Sequence, residues 1–283
     1  MDQGEQAAEE YKAFKKYTQN NLRNAPEPSS VDYHTEFKDS DEEIDRKVKK
    51  LAALIKNAQH AIVYTGAGIS TSSGIPDYRS PNGVWTKRVK GEAIDSAKIK
   101  NLLVSAAPTL GHKILLNLTR AGLLKHIITT NVDGLFRKVG FEISEISEIH
   151  GNLFVEECSV CLKQYYRDYY VRNPSVGHFE HKTGKKCEEC GGDTRDIIFN
   201  FGNTVEHVPS LEAVYDVAWS NAIKADVMLV LGSSLSVAGA VDLIDYCHDS
   251  EGDEYFPTGK IVIVNNQNTP KDGIADLVVH APC

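Results

Sequence analysis

Four cysteines fall into two pairs, Cys158-x2-Cys161 and Cys187-x2-Cys190, with 25 residues between the pairs. Two such knuckles can place four thiolates around one tetrahedral ion, and Zn2+ suits an all-sulfur set best. A closed set of four leaves no coordination position for a substrate, so the expected metal is structural. A redox pair or free thiols is the alternative reading, with His178 and His181 as nearby substitute ligands. Cys247 and Cys283 stand outside the pattern.

A second group surrounds Gly66-Ala67-Gly68-Ile69-Ser70, which follows the apolar run 60–65 directly. Two glycines there let the backbone approach a pyrophosphate, with a following helix N-terminus favouring its charge. Thr71 occupies the place of a third glycine, the next being Gly74, and no acid ends the second strand to hold a ribose. A nicotinamide dehydrogenase is therefore disfavoured, and an ordinary tight turn is the plain alternative. His150, within Glu148-Ile149-His150-Gly151-Asn152, precedes the cysteine-rich stretch. A lone histidine is more often structural than catalytic, but this one falls at an expected domain junction, where clefts form. Asn131 and Asp133, at a strand end, are candidate polar partners and electrophile-orienting groups.

These groups need a scaffold. Apolar runs at 60–65, 126–130, 227–231 and 260–264 each lead into Gly, Ser, Asn, Asp or Thr, with helical stretches such as 108–121 and 211–225 between them. That pattern predicts an α/β fold, a Rossmann-like parallel sheet with helices on both faces, and ligands bound at the carboxyl ends of its strands. Ser40 followed by Glu43 has the form of a capping box, opening a helix that ends near Asn57. The expected division is a polar extension over 1–40, the Rossmann-like domain over 41–150 and 200–283, and a small zinc-binding module over 151–199.

The chain has 283 residues, 41% of them apolar, enough for a substantial core. Its formal charge of −8 argues against bulk electrostatic or sequence-specific binding of nucleic acid and fits a basic peptide partner better. No basic-then-apolar leader opens the chain, and the run 227–241 is broken by Gly232, Ser233, Ser234 and Ser236, so no membrane span is expected.

Taken in order, these motifs resemble the sirtuin family over roughly 48–283. They are Gly66–Ser70, Gly74-Ile75-Pro76-Asp77-Tyr78-Arg79, Thr130-Asn131-Val132-Asp133, His150-Gly151-Asn152, the two cysteine pairs, Phe201-Gly202, Gly232-Ser233-Ser234-Leu235 and 263–265. The stretches 81–108 and 154–158 are similar to the class IV branch, which contains the chromatin-associated members. The resemblance implies NAD-dependent removal of acyl, chiefly acetyl, groups from protein lysines. It assigns Gly66, Ala67, Gly68, Ser70, Ile75, Asp77, Tyr78, Arg79 and Trp85 to the phosphate turn and a mobile cofactor loop, with Arg79 in the NAD site. Thr130, Asn131, Val132 and Asp133 would line the nicotinamide pocket. Gly232, Ser233, Ser234, Asn265, Asn266, Gln267 and Cys283 would hold the adenosine half. Phe199, Phe201 and Gly202, facing Leu235, Ser236 and Val237, would receive the acyl-lysine as an added strand. His150 would be the general base, and the zinc structural.

In the implied reaction the acyl oxygen attacks the ribose C1′ as nicotinamide leaves. His150 then takes a ribose hydroxyl proton so that this oxygen can attack the intermediate, and free lysine and O-acyl-ADP-ribose result. The implied partners are histone tails or other basic proteins, and the implied compartment is the nucleus. The same NAD cleavage also serves a mono-ADP-ribosyltransferase, and a weakly catalytic NAD or ADP-ribose sensor acting as a chromatin scaffold is the non-enzyme alternative. Thr130 stands where the family has Gln, Asn203 where it has Glu, and Phe199 where it has Val. The chain also stops at Cys283, where relatives continue into a closing helix.

Overall fold

The computed structural model describes residues 35–176, 179–200, 203, 207–237, 239–248 and 258–283. Most of the expected polar extension, together with His178, Phe201 and Gly202, therefore lies outside the described residues.

In chain order the strands are β1 (Ala61–Thr65), β2 (His126–Thr129), β3 (Ile146–Glu148), β4 (Val155–Cys158), β5 (Gln164–Tyr166), β6 (Lys182–Lys186), β7 (Asp193–Asp196), β8 (Val227–Leu231), β9 (Lys260–Val264) and β10 (Leu277–Val279). Six of them form a parallel sheet in the order β3-β2-β1-β8-β9-β10. Counted along the chain this is the 3-2-1-4-5-6 order of a doubly wound dinucleotide fold, with the reversal between β1 and β8. The other four form an antiparallel sheet, β5-β4-β7-β6, inserted between β3 and β8.

The parallel sheet is buried on both faces, which is why its strands read as continuous apolar runs. Ile62, Tyr64, Ile128, Met228, Val230, Ile261 and Ile263 face one core, and Ala61, Val63, Ile127, Leu229 and Val262 face the other. The helices are α1 (Asp41–Asn57), α2 (Val84–Val89), α3 (Ser96–Ser105), α4 (Leu110–Arg120), α5 (Leu135–Val139), α6 (Ser210–Ala222) and α7 (Asp242–Cys247). Tyr215, Ala218 and Ala222 of α6, with Leu243 and Ile244 of α7, cover the first face. Ile55 of α1, Leu115 of α4 and Phe136 of α5 cover the second.

Local chemistry sets the helix ends. Ser40 Oγ accepts the Glu43 N–H at 3.2 Å, and Asp41, Glu42 and Glu43 place negative charge at the positive end of α1. Thr109 caps α4, so that helix opens at Leu110 and not at Pro108. The four strands expected from apolar runs are present. β3 and β10 are additional, each three residues long at a sheet edge, too short to show a periodic signal.

Candidate active site

A cavity of about 440 Å3 opens at the carboxyl ends of the strands, where the sheet order reverses. The loops leaving β1 and β8 meet at its floor. Gly66 N–H donates to Leu231 O at 3.0 Å, and Gly68 N–H to Gly232 O at 2.8 Å. A Cβ on Gly68 would stand 2.6 Å from Gly232 Cα, and one on Gly66 2.7 Å from Gly232 O. Both glycines are thus required by backbone meeting backbone.

The α-helix expected after this turn does not form. Residues Ala67–Ser73 make a 3-10 helix that Gly74 ends at φ +85°. The cause lies in the residues: Thr71 Oγ1 bonds back to Gly68 O at 3.0 Å and Ser73 Oγ bonds to Ala107 O, and such local bonds compete with α-helical geometry. No α-helix N-terminus therefore faces the cavity from this turn. The positive charge at the site comes instead from Arg79 and Arg88, which line the cavity with, among the described residues, a single carboxylate, Asp77.

Asn131 is buried where the loop leaves β2. Its Nδ2 donates to Gly66 O at 3.0 Å and to Ser70 Oγ at 3.2 Å. Ser70 Oγ in turn donates to Asp133 Oδ2 at 2.6 Å, and Asp133 Oδ1 accepts the Leu135 N–H at 3.0 Å. Burial pushes the Asp133 carboxyl above its ordinary range, opposed by these two bonds. Ser70 and Asp133 do not line the cavity; they form a layer behind Asn131 that ties the β1 and β2 loops together.

His150 lines the cavity, its Nδ1 3.2 Å from Thr130 O. A carbonyl oxygen only accepts, so this contact fixes the proton on Nδ1 and leaves the Nε2 lone pair as an acceptor. Burial holds the imidazole down to about 4, keeping it neutral at ordinary pH. The Thr130 hydroxyl donates to Thr65 O at 3.2 Å, engaged at the strand end.

Other expected residues divide as follows. Gly66, Ala67, Gly68, Asp77, Tyr78, Arg79, Trp85, Thr130, Val132, Phe199, Gly232, Ser233, Ser234, Leu235, Ser236, Val237, Asn265 and Gln267 line the same cavity. Ile75, Asn266 and Cys283 do not. Ile75 packs with Leu103, Leu153, Phe154 and Ile198, the Asn266 carbonyl accepts the Phe37 N–H, and Cys283 Sγ lies 3.6 Å from Val264 O. Asn203 is fully buried, its Oδ1 accepting the Asn200 N–H at 2.6 Å, so its side chain braces the loop after Phe199. Tyr64, Ser80, Val84, Arg88, Ile198 and Asn200 complete the lining and were missed. Arg88 carried a signal, one helical turn beyond Trp85.

The four thiols of the antiparallel sheet converge, all sulfurs lying within 4.8 Å of one another. Cys158 and Cys190 are 3.4 Å apart, Cys161 and Cys187 3.6 Å. A tetrahedral Zn2+ with ~2.3 Å bonds sets sulfurs about 3.8 Å apart, so the set fits a structural zinc. Amide N–H groups of Val160 and Cys161 point at Cys158 Sγ, each at 3.4 Å, as a thiolate requires. His181 is not a ligand; its Nδ1 pairs with Asp196 Oδ1 at 2.8 Å, both side chains being buried. Among the described residues no helix is long and apolar enough to cross a membrane.

A doubly wound sheet with a cavity at its switch point, together with an inserted antiparallel sheet that gathers four cysteines, defines a dinucleotide-type α/β protein with a metal-stabilised insertion. The chain belongs to the Sir2 family, whose family model matches residues 66–239. The NAD-dependent protein deacetylase sirtuin-7 of Bos taurus is 40% identical over 247 residues, 87% of this chain and 59% of that protein. The NAD-dependent protein deacetylase of Thermodesulfovibrio yellowstonii is 33% identical over 248 residues, covering 83% of this chain and 90% of that one. A solved Sir2 structure with a p53 peptide and NAD+ aligns with a TM-score of 0.59 at 30% identity, over 83% of this chain and 93% of the other. Another, with a deacetylated p53 peptide and 3′-O-acetyl ADP ribose, aligns at 0.61 with 30% identity, over 83% and 94%. The likeness to sirtuin-7 agrees with the class IV branch, and the chain spans 59% of that relative's length.

Proposed function

We propose that this protein removes acetyl groups from protein lysines at the expense of NAD and one water, releasing free lysine, nicotinamide and O-acetyl-ADP-ribose. The observation that carries the reading is the pairing of His150 with Thr130 O beside a buried Asn131, in one cavity at the sheet's switch point. The relatives named as NAD-dependent deacetylases, and the solved relatives holding NAD+ or a peptide, support it.

NAD is a consumed substrate here, supplying the electrophilic ribose carbon. The chain's own residues do the rest. The loop after β1, Arg79 and Arg88 face the pyrophosphate, whose charge the two cations balance in an otherwise acidic chain. Ser233, Ser234, Asn265 and Gln267 take the adenosine half. Asn131, held by Gly66 O and Ser70 Oγ, orients the reacting end without moving. His150 accepts a ribose hydroxyl proton at Nε2, since Nδ1 is already committed. Phe199 and Leu235 to Val237 flank the acyl-lysine. The larger unit comprises 41–150 and 200–283, and residues 151–199 are a small module whose zinc does no chemistry. Histone tails or other basic proteins are the proposed substrates, supported by the net charge of −8, and the nucleus and chromatin are the proposed setting, resting on family likeness.

The test is mass spectrometry of purified protein with NAD and an acetyl-lysine histone peptide. Deacetylated peptide with matched nicotinamide and O-acetyl-ADP-ribose is the expected result. ADP-ribose attached to protein would replace the reading with a transferase. No NAD turnover on acetyl or longer acyl peptides would replace it with a sensor.

A further inference from the structure

Resting on that proposed function, we infer that Glu148 is a positioning residue for His150, acting through Arg137 and Asn152. The loops that carry Asn131 and His150 leave different strands, β2 and β3, and one buried carboxylate joins them. Glu148 ends β3 and is only 5% exposed, yet both of its oxygens are engaged. Oε2 accepts from Arg137 Nε at 2.8 Å, and Oε1 from Asn152 Nδ2 at 2.6 Å. Arg137 belongs to α5, whose first N–H, from Leu135, is held by Asp133. Asn152 Oδ1 accepts the Phe154 N–H at 2.9 Å.

The main chain adds a second closure. Glu148 O accepts the Gly151 N–H at 2.8 Å, so His150 lies inside a turn that Glu148 shuts with both its backbone and its side chain. The two loops also abut directly. A Cβ on Gly134 would stand 3.2 Å from Asn152 Oδ1 and 2.9 Å from the Phe154 ring. His150 is therefore held through its main chain by the turn that Glu148 closes, and at its ring by Thr130 O.

A buried ion pair is a poor device for stability alone, because desolvation offsets most of its attraction. The pair here couples the base-bearing turn to the Asn131 loop, and a base displaced by about 1 Å costs on the order of 100-fold in rate. Glu157 makes a useful contrast. It is equally buried and pairs with Arg195 at 2.7 Å, but its carboxylate bonds Arg195 and Gln164 across the antiparallel sheet and neither belongs to that turn.

The experiment compares wild type, Glu148→Gln, Arg137→Gln and Glu157→Gln by steady-state nicotinamide release, by zinc content and melting, and by nitrogen NMR of the His150 tautomer. Glu148→Gln is expected to lower kcat by about 10- to 100-fold while KM for NAD and peptide stays within about threefold. His150 in that variant exchanges its single Nδ1-protonated form for a mixture. Arg137→Gln, at a partly exposed position and so the better-tolerated change, shows the same direction with a smaller loss. Glu157→Gln loses stability but keeps kcat and the wild-type tautomer. A folded Glu148→Gln or Arg137→Gln with wild-type kcat and tautomer overturns the inference, as does Glu157→Gln lowering kcat equally. If the wild type releases no nicotinamide, the deacetylase reading falls, and the tautomer comparison alone decides the role of Glu148.

Discussion

The imidazole of His150 is keyed to the main chain of Thr130, with Nδ1 3.2 Å from the carbonyl oxygen of the residue that follows β2. This single contact chooses the tautomer. His150→Ala should lower turnover by about 100- to 10,000-fold, the usual worth of a positioned base, with melting and zinc content unchanged. Near-normal nicotinamide release from that variant would remove His150 from the role. The burial that holds the imidazole down to about 4 also places the acid limb of kcat/KM below the ordinary 6.5 of histidine. A limb at or above 6.5 would contradict it.

Two histidines away from the cavity set a pH dependence of stability. Burial brings His112 and His126 to about 4, with the nearby His60 adding to the effect on His126. Between about 4 and 6.5 the unfolded chain binds protons at these positions that the folded chain refuses, so their contribution is complete above 6.5 and shrinks as pH falls. Asp242, raised to about 6 by burial, works in the opposite sense, so the difference between variants is the informative quantity. Urea unfolding of His126→Gln should lose stability less steeply than wild type between pH 7 and 5, by at most about 1.4 kcal/mol per pH unit. Parallel slopes would show that His126 is protonated in the folded protein.

Cys187→Ser should abolish zinc binding and much of the folding energy of the antiparallel sheet, because structural zinc contributes on the order of 10 kcal/mol to small modules of this kind. Metal stoichiometry by mass spectrometry and the melting temperature check it. Full occupancy in the variant would exclude Cys187 as a ligand.

Gly68→Ala should weaken NAD binding at least about tenfold while the sheet still folds. The new Cβ would lie 2.6 Å from Gly232 Cα, backbone that only a shift of the loop can relieve. Calorimetric titration of NAD provides the check, and wild-type affinity would show that the two loops separate at no cost.

What the sequence made legible was local. The cysteine spacing announced the converging sulfurs, because a knuckle is built within four residues. The apolar runs announced the inner strands, because burial on both faces demands them. The 3-10 turn at Ala67–Ser73 was misread as an α-helix, since its Thr and Ser side chains bond to backbone that a helical pattern assigns elsewhere. The bond of Glu148 to Arg137 spans eleven residues and two elements, and nothing in the spacing of either residue signals it. Arg88 was signalled only by its place one helical turn beyond Trp85, on the short helix at Val84–Val89.

The inserted sheet begins and ends almost at one point. Phe199 N–H donates to His150 O at 2.9 Å, and a Cβ on Gly151 would stand 1.8 Å from Ile197 O. In topological terms the insertion is a closed excursion, invisible to the parallel sheet it leaves and rejoins. Its length can change at a cost that grows only with the logarithm of the loop, so knuckles and the strands between them are free to drift in size. What cannot drift is the crossing itself, where only glycine fits at 151 and where the neighbouring residue is His150, the proposed base.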